Sequence, residues 1–184
     1  MIETIFYTGK GFSMERGYFF KALIILSVIW LAGCSGGGTI SSMTPNDFMK
    51  QAAEGSMAEI QLASLALTRT QNPEVRTFAQ QMIADHSNVS EELKPIAAKK
   101  SVTLPLELNS AHKSLSDKLT RMSGAEFDRD YVKAMVEDHE KDVKAFQAQA
   151  QAGTDAEVKE FATKILPTLE HHLQMAREMQ NKMK

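Results

Sequence analysis

Apolar residues return at helical spacing along most of the chain after residue 44. In four long stretches they recur every three or four residues, which places them on one face of an α-helix. The second stretch repeats without interruption through Val75, Ala79, Met82, His86, Val89, Leu93 and Ile96. Four such stripes predict an all-α fold in which four long helices share one core.

Start and stop signals predict where each helix lies. A capping residue precedes a proline at Thr44-Pro45 and again at Asn72-Pro73, as at many helix starts. Glutamates three residues after Ser123 and Thr154 predict a capping box at each of these residues. The predicted helices run from Pro45 to about Arg69, from Pro73 to about Lys100, from about Asn109 to Met122, from Gly124 to Gly153, and onward from the cap Thr154.

The lengths of the connections predict how the helices are joined. Turns of a few residues would link the first long helix to the second, and the third to the fourth, as two antiparallel hairpins. The stretch between the hairpins is longer and holds the short helix. The sequence therefore predicts a ferritin-like four-helix bundle over residues 45–184, with a crossover between its hairpins.

Each of the four long stripes carries one residue that could ligate a metal. These residues are Glu59, His86, His139 and His172. Helical bundles build metal sites from such inward side chains, so the four form a candidate mononuclear zinc or copper site. The helical rise places Glu59 and His86 within about one turn of each other, whereas His139 and His172 match less well in height. Ordinary hydrogen-bonded core residues are the open alternative.

Methionines accompany the three histidines. Met82 and Met135 each precede a histidine by four residues, and Met175 follows His172 by three. A thioether beside an imidazole would suit a soft ion such as Cu(I). Methionine is also the usual filler of irregular helical cores, so copper is one interpretation of two.

Nothing in the sequence predicts an enzyme. There is no nucleophile motif and no glycine-rich phosphate loop. Di-iron bundles use Glu-x-x-His on two helices, but Ile83, Val136 and Leu169 stand three residues before the stripe histidines. With one stripe carboxylate, a ferroxidase centre would lack its bridging ligands. Off the stripes, His112 is predicted to be an exposed surface residue, and Tyr131 a core aromatic with its hydroxyl at the rim.

The N-terminal region predicts export and lipid attachment. Residues 22–34 read ALIILSVIWLAGC, an apolar run too short to span a bilayer, after basic residues and before small ones. Its end resembles a bacterial lipobox, in which Cys34 would be lipidated after removal of residues 1–33. Residues 1–13 precede a second methionine, Met14, that would give a conventional signal length. Residues 34–44 then form the lipidated start and a flexible Gly/Ser tether.

These features predict a location and a type of partner. The lipid would hold the bundle at the periplasmic face of a membrane, and Ser35 resembles outer-membrane sorting signals. The formal net charge is −2 without a basic stripe, so no nucleic-acid partner is predicted. The leading hypothesis is a non-catalytic tethered bundle that acts on an unknown protein partner in the envelope, with no firmly predicted cofactor. The alternative is a zinc- or copper-binding bundle.

Four segments together resemble a known family of exported bacterial proteins, the domain of unknown function 4142. They are Ala58–Ala63, Val75–His86, Phe127-Asp128 with Tyr131 and His139, and Leu166–Leu173. The resemblance extends from Phe48 to Met179 and implies a ferritin-like helical bundle. Because the activity of that family is not established, the resemblance implies a fold and leaves the function open.

Overall fold

A computed structural model describes residues 43–183, and this part of the chain holds five α-helices and no β-strand. The helices are α1 (Pro45–Arg69), α2 (Pro73–Lys99), α3 (Ser110–Thr120), α4 (Gly124–Ala152) and α5 (Ala156–Lys182). The all-helical prediction is confirmed. None of these helices combines the length and apolar character that a membrane span requires. The predicted signal peptide, Cys34 and most of the tether lie outside the described residues.

The helix starts follow the predicted signals at α1 and α2 and depart from them later. Thr44 and Asn72 cap α1 and α2 and accept hydrogen bonds from first-turn N–H groups. The cap predicted at Thr154 is wrong, because Asp155 caps α5 and accepts from the backbone N–H groups of Glu157 and Val158. Ser123 does precede α4, but its side chain makes no capping hydrogen bond, so the predicted capping box is also wrong. There the chain turns through Gly124 at a φ of 58°, which glycine adopts freely.

The four long helices pack as two hairpins side by side. In one hairpin α1 lies along α2, in the other α4 lies along α5, and each turn has three residues between its helices. The hairpins meet through α1 against α4 and α2 against α5, while α3 packs on α1 and α4. Gly153 is required in the second turn, since a Cβ there would collide with the Gln149 backbone oxygen.

A polar layer divides the core of the bundle. One apolar cluster contains Leu62, Phe78, Met82, Tyr131, Met135 and Ala176, and the other contains Phe48, Ala52, Val89, Phe146, Phe161 and Leu169. Between them, one residue from each long helix faces inward with at most 2% of its surface exposed: Glu59, His86, His139 and His172. Burying polar groups in this way lowers stability unless each one finds a partner.

Candidate metal centre

Three histidines from three helices converge in the polar layer. Each of His86, His139 and His172 offers one nitrogen, and the three lie within 4.8 Å of one another. His139 Nε2 is 3.3 Å from His172 Nδ1. The two imidazoles therefore meet, although the sequence predicts different heights for His139 and His172 along the bundle. Side chains lean toward the N-terminus of their helix, so in an antiparallel pair these two imidazoles lean toward each other.

The proton positions on His139 and His172 follow from their outer contacts. His139 Nδ1 lies 2.9 Å from the Met135 carbonyl oxygen, to which it can only donate, so Nε2 carries a lone pair. His172 Nε2 lies 2.8 Å from Asp85 Oδ2 and donates to that carboxylate, so Nδ1 carries a lone pair. The two nitrogens that face each other are therefore both acceptors.

Burial keeps these imidazoles neutral. It lowers the pKa of His172 to about 4, although the Asp85 hydrogen bond opposes the shift. Burial also lowers the pKa of His139, against the opposing charge of Glu59. At neutral pH neither ring carries the extra proton that would turn the close approach of the two nitrogens into a hydrogen bond.

His86 supplies a third nitrogen without a partner. Its Nδ1 lies 2.9 Å from Glu59 Oε2 and 3.4 Å from the Ser56 hydroxyl oxygen. Its Nε2 is buried and has no hydrogen-bond partner. Burial lowers the pKa of His86 to about 4, so this ring is neutral as well. Unpaired buried nitrogens are uncommon in folded proteins and require an explanation.

Glu59 lies beside the outward Nδ1 atoms of two histidines. Its carboxylate is 2.9 Å from His86 Nδ1 and 3.3 Å from His139 Nδ1, but neither contact has hydrogen-bond geometry. Burial raises its pKa to about 7, and a protonated His139 would oppose the shift. The structure thus brings together all four predicted residues, with Glu59 behind the histidines.

Tyr131 differs from its prediction. Its hydroxyl is buried without a hydrogen-bond partner, so the predicted place at the rim is wrong. Burial raises the pKa of Tyr131, and the negative charge of Glu59 raises it further. The ring stacks on Phe127 and meets the edge of Phe78, which accounts for its depth in the core.

Asp85 and Asp138 each directly precede a histidine of the polar layer in the sequence, and the two carboxylates have different roles. Asp85 reaches across to His172, whereas Asp138 lies 3.6 Å from His112 Nε2 and 3.0 Å from Lys141 Nζ. The prediction of an exposed His112 is wrong, because α3 packs on α1 and α4 and leaves 18% of this side chain exposed. Nothing in the local sequence indicates this contact, which depends on how the crossover folds back.

His112 bridges two helices as a cation. Its Nδ1 lies 2.8 Å from Glu54 Oε1 on α1, and its Nε2 faces Asp138 on α4. The nearby carboxylates of Asp138 and Glu54 raise the pKa of His112 to about 9. At neutral pH this histidine is therefore protonated, unlike the three in the core.

The distance between the facing nitrogens of His139 and His172 suits a tetrahedral metal ion. Imidazole nitrogens bind zinc at about 2.0–2.1 Å, so two ligands at a tetrahedral angle stand roughly 3.3 Å apart. The distance from His139 Nε2 to His172 Nδ1 is 3.3 Å. Met82 and Met135 are fully buried in the adjacent apolar cluster, and Met175 is partly buried beside it.

The chain belongs to the family described as Domain of unknown function (DUF4142), whose sequence profile matches residues 36–179. This confirms the resemblance found in the sequence. A search of curated proteins finds no match to this chain.

Solved structures share the helical fold at low sequence identity. A DUF305 fragment from Deinococcus radiodurans aligns with a TM-score of 0.67 and 14% identity, over 75% of this chain and 95% of the fragment. CopM in its Cu(II)-bound form aligns with a TM-score of 0.67 and 17% identity, over 78% and 100% of the two chains. CopM in its Cu(I)-bound form aligns with a TM-score of 0.63 and 19% identity, over 76% and 98%.

Proposed function

We propose that this member of the DUF4142 family binds one transition-metal ion, copper or zinc, between His86, His139 and His172. The ligand atoms would be Nε2 of His86, Nε2 of His139 and Nδ1 of His172. The observation that carries the proposal is the 3.3 Å approach of two imidazole nitrogens that both present lone pairs. A cation between them turns a repulsive contact into two coordinate bonds.

A purely structural role accounts less well for the same contacts. Core histidines normally have both ring nitrogens paired, because an unpaired buried polar atom costs about 1–3 kcal/mol. Here His86 Nε2 has no partner, and the facing nitrogens of His139 and His172 have no proton between them. Metal binding satisfies all three atoms at once. For this reason we prefer it to the predicted tethered bundle that acts only through an unknown partner.

The outer contacts resemble those of known metal-binding histidines. Such a ligand usually donates its second N–H to a carboxylate or a backbone carbonyl, which fixes the ring and raises its basicity. Asp85 holds His172 in this way, and the Met135 carbonyl holds His139. Glu59 lies beside Nδ1 of His86 and of His139, so we assign it to charge compensation behind the ligands.

Two observations favour copper among the metals that imidazole accepts. Imidazole suits both zinc and copper, and thioethers favour Cu(I). Met82 and Met135 are fully buried one helical turn before His86 and His139. CopM, a copper-bound protein, is among the structures with this fold. The proposal includes a ferritin-like topology, in which a crossover joins the two hairpins. It does not include a di-iron centre.

Competition titration against chelators of known affinity tests the metal site. Metal-free protein is titrated with Cu⁺ and with Zn²⁺, beside a His86→Ala/His139→Ala variant and a His171→Ala control, in which an adjacent histidine off the stripe is lost. We expect one tight site in the wild type and the control, and a loss of at least 100-fold in the double variant. Equal affinities in all three proteins would contradict the proposal.

We also propose that the chain is exported and attached to a membrane through Cys34. The lipobox-like end of residues 22–34 supports this, and so does a structural neighbour from Streptomyces coelicolor that is described as secreted. Mass spectrometry of the mature N-terminus tests the attachment, with Cys34→Ala as the control. Acyl chains on Cys34 are expected, and an unmodified or retained N-terminus would contradict the proposal.

A further inference from the structure

A cleft of about 320 Å³ leads from the surface to the polar layer, between α1, the start of α3 and α4. Its walls include Glu54 and Gly55 of α1, and Asp138 and Asp142 of α4, and Glu59 also lines it. Four other clefts in the described part of the chain include none of the four residues of the polar layer. This cleft therefore extends to the residue directly behind the histidines, although the carboxylate oxygens of that residue are buried.

Four carboxylates line the cleft, together with the cationic side chains of His112 and Lys141. Glu54 and Asp138 stand near the opening, each with 14% of its side chain exposed. Asp142 lies across from Gly55, whose missing Cβ would be 3.6 Å from Asp142 Oδ2. Burial raises the pKa of Asp142, and the charges of Glu59 and Asp138 raise it further. The carboxylates are thus close enough to repel one another, and a cation would relieve that repulsion.

The inner end of the cleft holds a buried carboxylate without a partner. Glu59 is 2% exposed, and neither of its oxygens has a hydrogen-bond partner. It lies 2.9 Å from His86 Nδ1 and 3.3 Å from His139 Nδ1. A cation that reached Glu59 from solvent would stand on the Nδ1 side of the His86 and His139 rings, one ring width from their Nε2 atoms.

We propose that this cleft is the path by which a metal ion reaches the three histidines. Glu54, Asp138 and Asp142 attract the cation, and Glu59 receives it before the imidazoles bind it. The inference rests on the proposed metal site and adds to it a place and a direction of access. Carboxylates outnumber cationic side chains in this lining by four to two. An excess of carboxylates in a cleft raises the local concentration of cations and their rate of association.

His112 occupies the opening of this path. Its protonated ring bridges Glu54 and Asp138, with 2.8 Å from Nδ1 to Glu54 Oε1 and 3.6 Å from Nε2 to Asp138 Oδ2. It therefore takes the place that a metal cation would take between the same two carboxylates. An incoming ion must compete with this tethered cation, so His112 slows access without touching the ligands.

Stopped-flow absorbance of Co²⁺ uptake by metal-free protein tests the path, since the visible bands of tetrahedral Co²⁺ report arrival at the histidines. Glu54→Gln/Asp142→Asn removes two carboxyl groups from the cleft. The matched control, Glu160→Gln/Glu178→Gln, removes two exposed charges from α5. We expect uptake about 10-fold slower in the cleft variant at low ionic strength, with a weaker dependence on salt. The control should follow the wild type.

Two further variants separate steric from electrostatic control. Gly55→Leu narrows the cleft without a change of charge, and should slow uptake and release by similar factors. His112→Gln should speed uptake, because it removes the competing cation. If Gly55→Leu and Glu54→Gln/Asp142→Asn both take up Co²⁺ at the wild-type rate, the proposed path is wrong. The proposed metal site is not affected by that result. If wild-type protein gives no tetrahedral Co²⁺ spectrum, the metal site itself is overturned.

Discussion

His139 Nε2 and His172 Nδ1 lie 3.3 Å apart in the buried centre of the bundle, and both present lone pairs. Their second nitrogens are already committed to the Met135 carbonyl oxygen and to Asp85. Neither ring can therefore turn to relieve the contact without losing a hydrogen bond. Under the proposed function, a cation between the rings relieves this contact.

Replacing Asp85 should weaken metal binding much more than replacing Asp138. Asp85→Asn loses the carboxylate that holds His172, and outer contacts of this kind contribute about 10–100-fold to metal affinity. Asp138→Asn is the matched control, because Asp138 also precedes a histidine but contacts His112 and Lys141. Equilibrium titration with Zn²⁺ measures the metal affinity of both variants. A loss that is equal in the two variants would contradict the role of Asp85.

Glu59→Gln should change stability in opposite directions with and without metal. The folded-state pKa of Glu59 is about 7 against 4.5 in the unfolded chain, so the metal-free protein loses stability as pH rises from 4.5 through 7. Glutamine does not ionise, so at pH 8 we expect the metal-free variant to be more stable by roughly 1–3 kcal/mol. Urea unfolding across this pH range measures the difference. The metal-loaded variant should be less stable than metal-loaded wild type.

His112 should stabilise the fold in a defined pH window. Its pKa rises from 6.5 to about 9 in the folded protein, so its contribution is complete below pH 6.5 and disappears as pH passes 9. We expect His112→Gln to lower the free energy of unfolding by about 1 kcal/mol at pH 6, after solvent screening of a surface bridge. Paired urea melts at pH 6 and pH 10 test this. A difference that persisted at pH 10 would mean that the stabilisation comes from contacts other than the ion pairs.

Two glycines should respond oppositely to the same substitution. At Gly153 a Cβ would collide with the Gln149 backbone oxygen, so Gly153→Ala should destabilise the protein by about 1–3 kcal/mol. At Gly55 a Cβ meets only Asp142 at 3.6 Å, so Gly55→Ala should stabilise α1 by about 0.5–1 kcal/mol. Thermal melts of the two variants give the comparison. The same sign for both would contradict the packing described for the second hairpin turn.

The helices and the members of the polar layer could be predicted from the sequence because both follow from local periodicity. Spacings of three and four residues place Glu59 and the three histidines on inward faces, and prolines mark two of the helix starts. The height of His172 relative to His139 could not be predicted, because it depends on side-chain lean across two helices. The bridge from His112 to Glu54 joins residues 58 positions apart and depends on the fold of the crossover.

X-ray absorption spectroscopy of protein loaded with one equivalent of copper or zinc tests the metal site most directly. We expect one tightly held ion per chain and a coordination shell with three imidazole nitrogens at about 2.0–2.1 Å. The imidazole signal should fall in a His139→Ala/His172→Ala variant. A shell without imidazole, or a spectrum that this variant leaves unchanged, would contradict a metal site between His86, His139 and His172.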